Sequence, residues 1–223
     1  NPTVSTSAPP PAAAGASAAI HNTSVLGYPF LRAAPMELAI PPLGRASLNT
    51  SARPTVRFFH PEDPLPSPWD GPGVKWSRLH LVRRVPLIEL GIGSDEEHQP
   101  RGSGSLVLLD TGGTMRLLTD HDTAVEMGIH PDLWPRKPGT GNCTLTAFEG
   151  ASGKSLVTYS FKCRERLFLG GHGFGEVDVH LCKGDVLSSV LHRDVRGVVG
   201  LSMFAGKRVL IDYPGRRFAV TDL

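Results

Sequence analysis

The chain has no apolar run near the roughly 20 residues that a membrane-spanning helix needs, so no helical span is expected in it. Charge of either sign is sparse: 23 basic and 21 acidic residues in 223 leave a formal net charge of +2. The basic residues pair as Arg83-Arg84 and Arg216-Arg217 but never form the stripe that tracks a phosphate backbone, so no nucleic-acid partner is expected. Cysteine is scarce. Cys143, Cys163 and Cys182 leave at least one thiol unpaired within a chain, and their spacing is not that of a zinc site. Unbridged thiols are the expectation, with a Cys163–Cys182 cross-strand disulfide as the alternative. His121, His130, His172, His180 and His192 show no helical i,i+4 pair and no supporting carboxylate spacing, so no metal is expected. No cofactor motif is present either. Gly170-Gly171-His172-Gly173-Phe174-Gly175 lacks the Lys-Ser/Thr pair and following helix of a phosphate loop, and reads as a strand-connecting turn. Gly102-Ser103-Gly104-Ser105 precedes a strand and is no nucleophile elbow.

What is abundant is glycine and proline, 25 and 20 residues, together with leucine and valine. That mixture favours many short strands joined by turns, hence a mainly β, barrel-like lobe with one or two short helices. Residues 1–19 are rich in Pro, Ala and Ser without aromatic or charged side chains, and read as a flexible linker. With no initiator Met, the chain is expected to be a piece of a longer or processed protein. Residues 20–50 read as the tail of a preceding lobe, 51–76 as a connection, and 77–223 as a compact lobe. Three sequons, at Asn22, Asn49 and Asn142, matter only in a secreted eukaryotic product.

Within the lobe, Val85–Leu90 and Ser105–Leu109 read as apolar strands, and His121–Ile129 as a short helix capped by Asp120. Thr144–Phe148 and Ser155–Phe161 flank the turn residues Glu149 to Lys154, which predicts a hairpin. Arg166–Leu169 and Glu176–Leu181 read as strands, and Arg208–Tyr213 and Arg217–Val220 as a hairpin across Pro214-Gly215. An internal repeat is also visible. Val25-Leu26-Gly27 followed by Met36–Pro41 matches Val198-Val199-Gly200 followed by Val209–Pro214: apolar pair, glycine, helical turn, strand and proline at the same offsets.

Asp110-Thr111-Gly112-Gly113 follows directly on the apolar strand, so the carboxylate is delivered at a sheet end. Gly112 and Gly113 permit a sharp turn and close approach, and the Thr111 hydroxyl can fix the loop. In this setting the chain resembles the retropepsin-like aspartic proteases of the pepsin clan over residues 83 to 221. The order is the family's: strand, Asp110-Thr111-Gly112, short helix, flap-like hairpin, Leu169-Gly170-Gly171, Val198-Val199-Gly200 and a terminal hairpin. Gly113 departs from the usual Ser or Ala, and the flap tip lacks the glycine density of viral enzymes.

The resemblance implies an aspartic-type endopeptidase acting on polypeptides, with Asp110 catalytic and Thr111, Gly112 and Gly113 supporting its loop. Glu149, Gly150, Ala151, Ser152 and Gly153 would form the flap. Such chemistry needs a second aspartate, and the sequence holds no second Asp-Thr-Gly or Asp-Ser-Gly. A second copy or a preceding lobe would supply it, the repeat favouring the lobe. A non-catalytic relative that binds peptides or mediates dimerisation is the competing class.

Overall fold

The computed structural model describes residues 28–42, 54–93, 104–129, 143–149, 155–183, 187 and 194–223. The terminal linker, the three sequon asparagines and the flap tip at 150–153 lie outside the described residues. The chain is mainly β, as expected. Its strands are β1 (Met36–Ile40), β2 (Thr55–Phe58), β3 (Ser77–Arg78), β4 (His80–Val82), β5 (Val85–Gly93), β6 (Ser105–Asp110), β7 (Leu117–Asp120) and β8 (Thr144–Glu149). They continue with β9 (Ser155–Lys162), β10 (Arg166–Leu169), β11 (His172–Phe174), β12 (Asp178–Cys182), β13 (Val198–Gly200), β14 (Lys207–Asp212) and β15 (Arg217–Asp222). The helical elements are α1 (Tyr28–Leu31), α2 (His121–Met127) and a 3-10 turn at Leu201–Phe204.

The large sheet runs β11-β10-β5-β6-β13-β7-β12-β9-β8, with β4 on β5. Its centre is mixed: β6 pairs with β5 antiparallel and with β13 parallel, the register setting Gly200 opposite Asp110. The smaller sheet runs β2-β1-β14-β15-β3. Both faces of β14 are covered, which is why it reads as a continuous apolar run rather than an alternating one. Val209, Ile211, Phe218 and Val220 face the lobe core. Leu210 and Ala219 pack instead under Trp69, flanked by Phe59, Leu65, Val74 and Trp76 from the 59–76 connection. Phe174, Phe204 and Phe218 stack edge to face at 5.9 Å per step, joining large sheet, 3-10 turn and small sheet.

Most expected elements form, with shifted edges. Asp120 caps α2, its carboxylate accepting from the Thr123 amide at 3.0 Å, and Gly128 ends the helix in the left-handed region. The strand expected from Glu176 begins at Asp178, because Glu176 has φ +49° and cannot enter the ladder. In the 170–175 segment Gly170 and Gly171 make the turn at φ +58° and +71°, while His172–Phe174 goes on as a strand. Strands β2, β3, β4 and β7 are additional to the expected elements. Each has at most four residues, too few for a period to show.

The cysteines are all buried and none is bridged, so the Cys163–Cys182 alternative is not realised. Cys163 donates to the Glu165 carboxylate at 3.0 Å, and Cys182 to the Thr119 carbonyl at 3.5 Å. Burial pushes the Cys143 thiol pKa up.

Candidate active site

Asp110 is the last residue of β6, and an amide cage holds the loop that follows it. The Gly112 amide donates to Asp110 Oδ1 at 2.9 Å, and the Gly113 amide to the Asp110 carbonyl at 3.2 Å. The far side of the loop is clamped to the end of β13. The Leu201 amide donates to the Gly113 carbonyl at 2.8 Å, and the Gly200 amide to the Arg116 carbonyl at 3.2 Å. This strand-crossing clamp ties Gly200, read from sequence only as part of Val198-Val199-Gly200, directly to the Asp110 loop. A Cβ on Gly200 would stand 2.6 Å from both the Gly113 and Met115 carbonyl oxygens.

Gly113 has a local reason of its own. A Cβ there would come within 2.6 Å of Met115 Sδ and 2.9 Å of Asp110 Oδ2, so the departure from Ser or Ala relieves crowding around the carboxylate. Thr111 is half-buried in the turn, and its hydroxyl makes no hydrogen bond among the described residues. Among the described residues, the hydrogen bonds that hold the loop come from backbone amides.

The expected β8–β9 hairpin forms, with Phe148 opposite Leu156; Glu149, expected in the turn, instead ends β8 opposite Ser155. An apolar cluster connects its turn end, through Leu156, to the Asp110 loop. Leu118, Cys182, Leu187 and Val198 form its buried centre, with Met115 from the loop, Leu156 from β9 and Leu108 from β6 packed against it. The structure thus brings together Asp110, Thr111, Gly112 and Gly113 in one loop, and ties the strand that follows the flap to that loop through Met115 and Leu156.

A feature missed from sequence is His180 on β12, beneath the hairpin. Phe148 meets its ring edge-on at 4.8 Å, and its Nδ1 is buried without a partner among the described residues. Burial, against Asp178 and with a small push from Arg116, holds its pKa below the usual histidine value. No group of three or more His, Cys, Asp or Glu among the described residues could hold a metal ion. No helix among them is long and apolar enough to cross a membrane.

No protein-family model matches the chain, and no curated protein matches it. Among solved structures, an aspartic proteinase from Irpex lacteus is similar at 14% identity and TM-score 0.44, over 84% of this chain and 56% of that one. Conglutin gamma, a basic 7S globulin from lupine seeds, is similar at 10% identity and TM-score 0.41, over 84% of this chain and 50% of its own. The chain spans about half the length of these structures.

Proposed function

We propose that this chain is one lobe of an aspartic endopeptidase and that Asp110 is one member of its catalytic pair. The observation that carries the reading is the Asp110 loop. A carboxylate at a sheet end accepts a backbone amide on one oxygen, leaves the other to the Gly113 side, and is clamped through Gly200 and Leu201. Two carboxylates about 3 Å apart share one proton because both cannot ionise, which is the behaviour known of aspartic-protease dyads in general. The ionised member takes a proton from a bound water as that water attacks the peptide carbonyl. The protonated member donates a hydrogen bond to the developing oxyanion. Neither a metal nor a covalent enzyme intermediate enters these steps. The β8–β9 hairpin would close over an extended substrate and exclude water.

The partner aspartate, on this reading, comes from a preceding lobe. Supporting it, β1 pairs with β14 so that Glu37 faces Leu210, and these two residues occupy equivalent positions of the internal repeat. Two repeat copies meeting about such a point are related by a local two-fold axis, the relation that would bring two lobes to one site. Cleavage of an unfolded protein substrate from acid to neutral pH, by this chain and by Asp110→Asn, tests the reading. Activity abolished in the variant supports an Asp110 enzyme assembled from two copies. Undiminished activity in Asp110→Asn sinks the proposal. Inactivity of both directs the same comparison to the chain extended upstream, where loss in the variant is required.

A further inference from the structure

A cleft of about 240 Å³ opens between β11, the 3-10 turn and the start of β14, with Arg116 reaching it from the segment that follows the Asp110 loop. Phe174, Val177 and Met203 lie at its floor, but only Phe174 at 9% presents more than a trace of apolar surface, so most of what faces the cleft is polar, Ser202 adding a hydroxyl. Arg116 and Lys207 also line it, with side chains only 28% and 21% exposed. Among the described residues each cation has one carboxylate neighbour. Arg116 Nε lies 3.8 Å from Asp178, which Lys162 shares at 2.9 Å, and Lys207 pairs with Asp222. The Arg116 guanidinium further donates to the Glu176 carbonyl at 3.3 Å.

A third cation backs this floor. Arg166 lies against Gly173, its Nε 3.2 Å from where a Cβ on that glycine would stand, and this Nε is buried with no acceptor among the described residues. The neighbouring His172 reports the same field. Burial first, then Lys207, Arg166 and Lys75 against Asp222 alone, hold its pKa below the ordinary value.

We propose that this cleft binds a small carboxylate, the anion resting on Arg116 and Lys207 and a short apolar body against the edge of Phe174. The charge on the lining disfavours a metal cation. A phosphate dianion is disfavoured as well, since Asp178 and Asp222 already neutralise part of the charge. An uncharged apolar ligand would strip water from two cations and return no hydrogen bond. A small organic acid and the C-terminal residue of a peptide both carry this chemistry. The inference is independent of whether Asp110 is catalytic.

Calorimetric titration of the full chain at neutral pH and low salt tests it, with N-acetyl-leucine, its C-terminal amide, and N-acetyl-Ala-Ala-Leu as probes. The acid is expected to bind saturably, and the amide about tenfold more weakly or not at all, the loss of one charge-assisted contact. Lys207→Met releases only a surface partner, Asp222, and should weaken the acid by about tenfold. Ser202→Leu keeps every charge but fills the cleft, and should abolish binding. Tighter binding of the tripeptide than of N-acetyl-leucine assigns a peptide C-terminus, and equal binding assigns a free acid. Absence of saturable binding, equal affinity for acid and amide, or titrations unmoved by both substitutions would overturn the site.

Discussion

Gly200 and Gly113 stand on opposite sides of one loop, and their surroundings make different demands on a substitution. At Gly200 a methyl group would press on two backbone oxygens that the β6–β13 clamp prevents from moving. Gly200→Ala is expected to cost about 3 kcal/mol in urea unfolding, the upper end for overpacking. At Gly113 the nearest atom is the end of a flexible methionine, so Gly113→Ala should cost only about 1 kcal/mol while displacing the Asp110 carboxylate. Equal losses at the two positions would contradict this account of the loop. Histidine supplies the second prediction at this scale. His180 is held neutral by burial, so the unfolded chain binds protons that the folded chain refuses, and stability falls as pH drops below about 6.5. His172, shifted in the same direction, adds to that slope. His180→Phe should flatten the decline between neutral and mildly acid pH, measured by denaturant titration at each pH; an unchanged slope would exclude His180 as a source. The place of Asp110 at the end of an apolar strand was legible in the sequence because strand and motif are contiguous. The roles of Gly200 and His180 were not, because they come from contacts with residues more than 30 positions away.

Between strands, two polar fastenings hold the small sheet in place. Asp212, 3% exposed, accepts from the Gly215 amide at 2.8 Å and from Arg217 Nε at 2.6 Å, and so fixes the β14–β15 turn. The Arg217 guanidinium then lies over the Trp76 ring at 4.2 Å, carrying the fastening into the connection. On the same face Trp69 donates its indole N–H to buried Glu37 at 2.6 Å, where Arg57 at 3.9 Å is the only cation in ion-pair range among the described residues. Trp69→Phe keeps the apolar packing and leaves the Glu37 carboxylate short of a donor. It is expected to cost about 2 kcal/mol and to expose the 59–76 connection to limited proteolysis. A variant as stable and as resistant as the parent would show that the connection is held by packing alone. The hairpins and α2 could be read from alternation, turn residues and the Asp120 cap, all local signals. The 61–73 part of the expected connection has no strand. Its docking through Trp69 was not readable, because the partner Glu37 lies 32 residues earlier.

At the scale of the molecule, the repeat seen in sequence becomes a strand pair. Met36 faces Ile211 and Leu38 faces Val209, so the equivalent residues of the two copies are exchanged about the Glu37–Leu210 pair. If a preceding lobe supplies the second aspartate, β1 already occupies the place through which that lobe would join this one. The sequence could display the repeat as matched spacing, but which edges the copies share depends on the antiparallel register, which no spacing encodes. The two sources of the second aspartate predict different concentration laws. Assembly of two identical chains makes specific activity rise with protein concentration until dimerisation saturates, since each site needs two copies. Assembly within one longer chain gives specific activity independent of concentration, and leaves the 223-residue chain inactive and monomeric in sedimentation. The expected outcome is the second: no hydrolysis by this chain at any concentration, first-order hydrolysis by the chain extended upstream, and loss of that activity with Asp110→Asn. Hydrolysis by this chain that scales with the square of its concentration would assign the partner aspartate to a second copy, and would leave the β1–β14 pairing as a purely structural repeat.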